Sequence, residues 1–404
     1  MTMRVRNPTP SARIHSAHDA QRLARRRLPR MIYDFITGGT GRELAPRRNQ
    51  SALARIRLQP RVLRDTRARE LATRILGEEM GLPFGIAPMG LCNLAWPGAD
   101  QMLAAAAARH NIPLCVSTAS STAIDALHQQ SGGRAWFQLY TDDATESALR
   151  LAARAQDAGC TRLILTADVP QLARRTRDLR NGFRVPFRIG ARQFADFALH
   201  PRWSLATLRH GVPRLMNFNH GDRGGDGFAR NGGRGGATWD FLDALRAQWR
   251  GGLIVKGVMS PCDARRIRDA GADAVYVSNH GGRQLDSAPA AIDTLPAIRD
   301  AVGDDYPLLF DSGLRGGEDI VKALALGADF TLIGSPALYA IGADGARGLA
   351  ALIAALADEI SVVIAQLGLR RVTDIDRTVI ASGDSNANDK ESANENENAV
   401  PSSP

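Results

Sequence analysis

Residues 307–335, PLLFDSGLRGGEDIVKALALGADFTLIGS, contain the pattern that decides the fold. An apolar run at 307–313 precedes a helical stretch at 317–326, and a second apolar run follows at 330–335. Gly327 comes directly after the helical stretch, where a glycine commonly ends a helix. Two strands joined through a helix are typical of a parallel βαβ unit. This stretch therefore predicts a parallel sheet covered by helices.

The same alternation recurs along most of the chain. Eight apolar runs are each followed by an alanine- and arginine-rich helical stretch, at 84–89, 113–118, 135–140, 162–168, 252–257, 274–279, 307–313 and 330–335. Helical periodicity is clearest at 98–110, 145–158 and 317–326. Nearly continuous hydrophobicity fits strands that are covered on both faces. Eight successive units predict an α/β fold, a closed (β/α)8 TIM barrel.

The remaining segments predict the domain organisation. Residues 1–80 form an N-terminal helical extension and cover, in which the basic helical region 15–45 ends in glycines that resemble a helix C-cap more than a nucleotide loop. The barrel occupies 81–370. It carries a mobile insertion at 185–237, after the fourth strand, because connections of that length are usually functional or disordered. Residues 383–404, rich in Asn, Ser and Glu, predict a disordered tail.

Composition restricts the class of protein. The chain has 404 residues and a net charge of +9, and its only lysines are Lys256, Lys322 and Lys390. The positive charge weakly indicates acidic substrates or an anionic surface. Four widely spaced cysteines without a CxxC pair argue against a zinc site and against disulfides, and indicate a reducing compartment. With no uncharged apolar stretch of eighteen residues and no apolar signal region, the sequence predicts a cytoplasmic protein without a spanning helix.

The insertion has two halves with different compositions. Residues 194–218 place apolar side chains among basic ones, which predicts either a peripheral contact with the inner face of the cell membrane or a lid over the active site. Residues 221–236, GDRGGDGFARNGGRGG, contain two Arg-Gly-Gly triplets. Two triplets without aromatic repeats are poor evidence for RNA binding, so no nucleic-acid partner is predicted.

A candidate active site begins at 278–286, SNHGGRQLD, directly after an apolar run. His280 and Arg283, separated by two glycines, place a titratable base beside a fixed cation. A satisfied loop histidine with a solvated arginine is the alternative. Barrel enzymes collect their sites at the C-terminal ends of the strands, so the other strand ends should join this pair. The ring comprises Ala87, Pro88, Met89, Ser117, Thr118, Gln138, Tyr140, Thr166, Asp168, Lys256, Ser278, Asp311, Gly313, Arg315, Gly334 and Ser335.

The last two strand ends predict a phosphate site. Glycine N–H groups, a helix N-terminus and Arg315 can hold a dianion there. Lys256 could neutralise a reduced flavin ring, whose pyrimidine edge Ser117, Gln138 and Thr166 could hydrogen-bond. Flavin mononucleotide (FMN) satisfies both halves. Glycine turns without a ligand, and a structural Lys256–Asp168 pair, are the alternatives.

These motifs together resemble the FMN-dependent 2-hydroxy-acid oxidase and dehydrogenase family, the group of glycolate oxidase and the lactate and mandelate dehydrogenases. The resemblance covers roughly residues 15 to 365. It is carried by LPRMIYDFITGG (28–39), FGIAPMG (84–90), AWFQLY (135–140), LTADVP (165–170), RRTRDLRNGF (174–183), LIVKGV (253–258), SNHGGRQLD (278–286) and LLFDSGLRGGEDIVKALALGA (308–328). It implies oxidation of an L-2-hydroxy acid to the 2-oxo acid, with electrons passing to flavin N5 and then to quinone, oxygen or a separate carrier. It also implies a homo-tetramer.

The resemblance further implies a role for each matching residue. His280 would be the base, oriented by Asp168, with Tyr140 near the substrate oxygen, and Arg283 and Arg175 would bind the substrate carboxylate. Lys256 would support the anionic reduced flavin. The remaining cofactor contacts divide between the isoalloxazine, held by Ser117, Gln138, Thr166 and Ser278, and the ribityl phosphate end, held by Asp311, Gly313, Arg315 and Gly334.

Two positions depart from the family pattern. Phe35 replaces a tyrosine that would hydrogen-bond the substrate carboxylate, and Ser335 replaces an arginine that would bind phosphate. We expect altered substrate recognition, and weaker FMN binding or binding through Arg315 alone, because one charge-assisted hydrogen bond is worth about 1.5–3 kcal/mol. Two alternatives stay open. One is a redirected member that oxidises a modified or amine-bearing substrate, and the other is a non-catalytic RNA-binding barrel.

Overall fold

The N-terminal region packs around a barrel in the computed structural model, which describes residues 8–141, 145–183, 189–217 and 234–381. Three helices and a two-stranded hairpin precede the barrel: α1 (Ala17–Arg27), α2 (Arg30–Thr37), α3 (Leu44–Arg55), β1 (Thr73–Ile75) and β2 (Glu78–Met80). Gly38 is the C-cap of α2, as the sequence predicted. The hairpin was not predicted, because its two strands have only three residues each.

Eight parallel strands close into a barrel in which the last strand pairs with the first, Thr331 opposite Phe84. They are β3 (Phe84–Met89), β4 (Leu114–Ser117), β5 (Ala135–Leu139), β6 (Arg162–Thr166), β7 (Gly252–Val258), β8 (Ala274–Val277), β9 (Leu308–Phe310) and β10 (Phe330–Ile333). The predicted TIM barrel is confirmed. Several strands end earlier than predicted, because polar residues such as Ser278 leave the ladder and enter the loops.

Side chains of alternate strand residues fill the inside of the barrel, as the period of two requires. The interior residues are Ala87, Cys115, Trp136, Ile164, Ile254, Ala274, Tyr276, Leu309, Phe330 and Leu332. Ile75 and Met80 of the hairpin pack into the same cluster. The hairpin therefore plugs one end of the barrel, and the other end is available for a site.

Helices cover the barrel and complete the predicted alternation. They are α4 (Ala99–His110), α5 (Ile124–Gln130), α6 (Thr145–Asp157), α7 (Thr176–Arg180), α8 (Ala191–Ala198), α9 (Pro201–His210), α10 (Trp239–Gln248), α11 (Pro261–Asp269), α12 (Ala291–Val302), α13 (Gly317–Ala325) and α14 (Ser335–Gln366). The helices expected at 98–110, 145–158 and 317–326 are α4, α6 and α13, each within two residues of its predicted bounds.

Helix α14 is the one described helix that is long and apolar enough to cross a membrane, by length and composition alone. Half of its apolar window is buried inside the protein, where α14 packs on α1, α4 and α13. Its path is interrupted at Asp344 and Gly345, whose backbone angles are not helical. These contacts show that α14 packs as one of the helices that cover the barrel.

The described part of the β6–β7 connection includes two helices, α8 and α9. Trp203 anchors them, since its side chain is buried and its Nε1 donates to the carbonyl of Leu94 at 2.9 Å. Residues 185–188 and 218–233 of the predicted insertion, and the predicted tail at 383–404, lie outside the described residues.

Candidate active site

The C-terminal ends of the strands surround a cavity of about 620 Å³. This volume falls in the range of about 300–1,000 Å³ that is usual for small-molecule sites. Most of the predicted site residues line it: Phe35, Ala87, Pro88, Met89, Ser117, Tyr140, Arg175, Lys256, His280, Arg283, Asp311, Gly313, Arg315, Gly334 and Ser335. Side chains spread over 300 positions of sequence therefore converge on one space.

Five predicted residues lie behind the cavity wall: Thr118, Gln138, Thr166, Asp168 and Ser278. Gln138 is buried, accepts from the hydroxyl of Ser117 at 2.9 Å, and donates to Thr166 Oγ1 at 2.8 Å. Ser278 accepts from Lys256 Nζ at 3.0 Å. These contacts hold Ser117 and Lys256 in place, so the residues behind the wall orient the residues that line it.

The predicted base, His280, is held by hydrogen bonds on both ring nitrogens. Nδ1 lies 3.1 and 3.2 Å from the two carboxylate oxygens of Asp168, and Nε2 lies 3.5 Å from the hydroxyl of Tyr140. The His280 backbone has φ 58°, a conformation that costs a non-glycine residue energy and is found mainly where the surroundings enforce it. The imidazole is therefore fixed by its partners at the edge of the cavity.

Buried polar side chains hold this backbone conformation. The hydroxyl of Ser312 accepts from the backbone N–H groups of Asn279 and Gly281, at 3.2 and 3.1 Å. The Asn279 amide exchanges two hydrogen bonds with the Asn49 amide of α3, at 2.7 and 2.8 Å. Sequence reasoning missed Asn49, because no local pattern shows that α3 packs on the histidine loop.

The electrostatic surroundings keep His280 neutral and Asp168 ionised. Burial lowers the pKa of His280 and Lys256 lowers it further, although Asp168 opposes both. Burial would raise the pKa of Asp168, but His280 and Lys256 outweigh it, so this pKa is lowered. A neutral imidazole beside a carboxylate can accept a proton and be stabilised once it is charged.

Lys256 is a buried cation on β7, at the base of the cavity. Burial lowers the pKa of Lys256, but Asp168 and Asp311 outweigh it and leave the pKa raised. Asp311 itself accepts from Tyr276 at 2.8 Å and from Ser312 at 2.7 Å. Lys256 is thus positively charged at neutral pH and lines the cavity.

Two arginines and an aromatic pair form another wall. The guanidinium groups of Arg175 and Arg283 lie 5.4 and 5.6 Å from the centroid of the Phe35 ring, which stacks on Phe183 at 4.4 Å. Arg283 also donates to the carbonyls of Phe35, Ile36 and Gly38 at the end of α2. Burial, together with Arg175, lowers the pKa of Arg283 to about 10.

Asp178 was not predicted, yet it belongs to this wall. Its carboxylate is 1% exposed, lies 3.4 Å from Arg175 Nη1 and raises the pKa of Arg283. One buried anion is therefore shared by two cations. The motif RRTRDLRNGF contains Asp178, but only the turn into α7 brings it to face the cavity.

The predicted phosphate end differs from expectation in one respect. The backbone N–H groups of Arg315 and Gly316 donate to Asp319, at 2.8 and 3.2 Å, and that of Gly317 donates to Glu359 at 2.5 Å. The N-terminus of α13 is therefore capped by carboxylates of the protein. The side chain of Arg315 and the first turn of α14, beginning at Ser335, line the cavity and are candidate donors to a dianion.

Two further lining residues come from the long connection. Leu215 follows α9, and Arg234 precedes α10, with its guanidinium 4.7 Å from the centroid of the Tyr140 ring. Arg234 lies in the glycine-rich stretch, whose composition carries no signal for a site residue. Among the described residues, no cluster of three or more His, Cys, Asp or Glu side chains could hold a metal ion.

Comparisons with known proteins show which proteins this chain resembles. The FMN-dependent dehydrogenase family model matches residues 24–382. (S)-Mandelate dehydrogenase of Pseudomonas putida is 38% identical over 369 residues, 90% of this chain and 93% of the relative. L-lactate dehydrogenase of Caulobacter sp. (strain K31) is 37% identical over 378 residues, 92% of this chain and 99% of the relative. A crystal structure of monotopic membrane protein (S)-mandelate dehydrogenase superposes with a TM-score of 0.88 at 37% identity, over 92% of this chain and 100% of that one.

Proposed function

The chain belongs to the FMN-dependent dehydrogenase family, and we propose that it oxidises an L-2-hydroxy acid to the corresponding 2-oxo acid. It is an FMN-dependent oxidoreductase by family membership. What we propose beyond family membership is the substrate, the role of each residue and the electron acceptor. One observation supports them above the others: His280, Tyr140 and two arginines line the same cavity, and Asp168 holds the His280 imidazole from behind its wall.

The cavity fits FMN in chemistry and in space. A Cβ atom at Gly334 would meet no protein atom closer than 3.7 Å, so this glycine leaves one edge of the cavity open. Lys256, with Ser117 beside it, would hold the polar edge of the isoalloxazine. Ala87, Pro88 and Met89 would lie against its face, and Arg315 with the start of α14 would hold the phosphate. When bound, FMN supplies a two-electron acceptor.

The residues of the chain would bind the substrate and move its proton. Arg175 and Arg283 would bind the substrate carboxylate, since planar guanidinium groups match carboxylate geometry. His280, neutral at working pH, would accept a proton from the substrate at Nε2. Asp168 would stabilise the resulting imidazolium, and Tyr140 would orient the substrate oxygen through its hydroxyl, 3.5 Å from Nε2.

The test of this proposal is anaerobic flavin reduction. The wild-type protein, loaded with FMN, should lose its flavin absorbance when an L-2-hydroxy acid of the right side chain is added. His280→Asn should keep the bound flavin and lose reduction, whereas Thr118→Ser, which retains the hydroxyl that donates to the Gln138 carbonyl, serves as a matched folding control. Full reduction by the His280→Asn variant would contradict the assigned base.

We further propose that the electrons leave to a membrane quinone, with the chain bound peripherally to the inner face of the membrane. Helices α8 and α9 expose large apolar side chains: Phe194 is 69% exposed, and Leu199 and Leu208 are each 79% exposed. Arg192, Arg202 and Arg209 lie beside them in sequence, as suits an anionic lipid surface. The solved relative described as a monotopic membrane protein supports this placement. Oxygen and a separate carrier remain the other acceptors.

Membrane binding can be measured with vesicles of defined composition. The wild-type protein should cosediment with vesicles that contain anionic lipid. The double variant Leu205→Ser, Leu208→Ser should bind these vesicles about tenfold or more weakly, because each substitution removes an exposed apolar side chain that the lipid would bury. Trp203 faces the protein and stays unchanged in this variant. Equal sedimentation of both proteins would contradict a contact through this face. The homo-tetramer stays a prediction that sedimentation velocity tests directly.

The redirected-member alternative depends on Phe35. Its ring, placed between Phe183 and the two arginines, offers no hydroxyl to a substrate carboxylate. If no 2-hydroxy acid reduces the flavin while an amine-bearing analogue does, this alternative replaces the proposal. The RNA-binding alternative rests on the glycine-rich stretch, most of which lies outside the described residues.

A further inference from the structure

Arg234 occupies a defined place between the ends of two barrel strands. Its backbone N–H donates to the carbonyl of Pro170, after β6, at 3.3 Å, and its own carbonyl accepts from the hydroxyl of Thr141, after β5, at 3.4 Å. Arg234 is only 7% exposed, and its guanidinium lies over the Tyr140 ring. A buried cation is thus fixed at the wall of the cavity, beside a proposed substrate contact.

Arg234 is a further arginine at this cavity, besides Arg175 and Arg283, which we propose bind the substrate carboxylate. Burial lowers the pKa of Arg234; Tyr140 opposes this, and Arg175 adds to it. Arg175 likewise lowers the pKa of Arg283, so Arg175 is close enough to interact with each of the other two guanidinium groups. A guanidinium carries five N–H donors in one plane, more than one partner can accept. Arg234 also lines the cavity, so a ligand there can reach this residue.

Small and apolar residues line the same cavity as Arg234. Gly90 and Ala119 are two of them, and a Cβ atom at Gly90 would lie only 2.8 Å from that of Ala119. Leu215 also lines the cavity, and the backbone N–H of its neighbour Met216 donates to the carbonyl of Ser120 at 3.0 Å. A substrate side chain in this cavity would therefore meet small and apolar residues, with Arg234 as the cation on Tyr140.

We propose that Arg234 binds the far end of the substrate side chain, and that the preferred substrate is a 2-hydroxydicarboxylate. This inference rests on the proposed oxidation of a 2-hydroxy acid and specifies its substrate class. The carboxylate next to the hydroxyl lies on Arg175 and Arg283, and the distal carboxylate lies on Arg234. A guanidinium recognises a carboxylate through paired, charge-assisted hydrogen bonds, which makes it more selective than an apolar wall.

The experiment compares two acids of equal chain length, L-2-hydroxyglutarate and L-2-hydroxypentanoate, on the FMN-loaded protein. The wild-type kcat/KM for flavin reduction should favour the dicarboxylate by about tenfold or more, and Arg234→Met should reduce this preference by about 10- to 100-fold. Arg234→Lys should retain part of it, because the charge remains. Leu215→Ala, which shortens an apolar side chain that lines the cavity without changing charge, should affect both acids to a similar extent.

Binding of the products gives a second readout that is independent of turnover. Calorimetry should show that 2-oxoglutarate binds more tightly than 2-oxopentanoate to the wild type, and that Arg234→Met removes the difference. Equal losses for both acids would show that Arg234 only packs on Tyr140, and would overturn the inference. So would a wild-type preference for the monocarboxylate, which can be read even if Arg234→Met does not fold. If neither acid nor any other 2-hydroxy acid reduces the flavin, the oxidation proposal itself fails.

Discussion

Replacing Asp168 with asparagine removes one charge from the proposed catalytic pair and keeps the shape of the side chain. The His280 Nδ1 atom lies 3.1 and 3.2 Å from the two Asp168 oxygens, and the two side chains are only 20% and 13% exposed. Solvent therefore screens this pair weakly. The charge that forms on His280 when it accepts a proton depends directly on Asp168.

The size of the effect follows from this geometry. Two unit charges at this separation attract by about 5 kcal/mol at an effective dielectric constant of about 20. Desolvation opposes the attraction, and a hydrogen bond to a charged group contributes a net of about 1.5–3 kcal/mol. Because about 1.36 kcal/mol changes a rate tenfold, Asp168→Asn should slow flavin reduction by about 10- to 150-fold.

The pH profile should shift in a defined direction. The neutral imidazole is the base, so the rate rises as pH rises through the pKa of His280. That pKa is already below the ordinary 6.5 through burial and Lys256, and Asp168 is the main opposing influence. Without the carboxylate the pKa falls further. The ascending limb of the Asp168→Asn profile should therefore lie at lower pH, while its plateau is reduced.

Anaerobic stopped-flow reduction at a series of pH values measures both effects. Asp311→Asn is the matched control, because Asp311 also raises the pKa of Lys256 but makes its hydrogen bonds to Tyr276 and Ser312. It should slow reduction less than Asp168→Asn does. The role assigned to Asp168 would be refuted if the plateau rate of Asp168→Asn stayed within threefold of the wild-type rate and the ascending limb of its pH profile did not move. It would also be refuted if both variants lost the same share of the reduction rate.

Three other substitutions test separate parts of the structure. Tyr140→Phe, which removes the hydroxyl near His280, should lower kcat for the proposed substrate by about tenfold; an unchanged kcat would exclude that hydroxyl from the reaction. Ser335→Arg adds a cation at the start of α14 and should lower the Kd for FMN by about tenfold in a fluorescence titration of the apoprotein, whereas equal affinity would place the phosphate elsewhere. Asp286 accepts three backbone N–H groups around the start of α3; they outweigh burial and lower its pKa. Asp286→Asn should thus reduce the free energy of unfolding in urea by about 1 kcal/mol at pH 7. The reduction should become smaller as the pH falls through the lowered pKa, because this carboxylate stabilises the fold fully only above its ordinary pKa of 3.8.

The barrel and most residues of its candidate site could be predicted because both follow from local patterns. Apolar runs that alternate with helical stretches specify parallel strands, and parallel strands in a closed barrel bring all their C-terminal ends to one face. His280, Lys256 and Arg315 each follow or end such a run, so their convergence required no knowledge of long-range contacts.

Other site residues depend on contacts that no local pattern encodes. Arg234 reaches Tyr140 only because the long β6–β7 connection folds back over the strand ends. Asp319 and Glu359 cap the start of α13, and this capping uses backbone N–H groups that the sequence assigned to a phosphate. Asn49 supports the histidine loop from a helix that precedes the barrel.

By itself, the amino-acid sequence determined the eight-stranded barrel, because hydrophobic periodicity acts over short distances and repeats with every strand. Its motifs carried the resemblance to the family and indicated the residue types at the mouth. Only the tertiary structure decided which polar groups line the cavity, which stand behind it, and which cations share one carboxylate. Those outcomes depend on the packing of segments far apart in the chain, where burial and neighbouring charges set the protonation of His280 and the surroundings of Arg234.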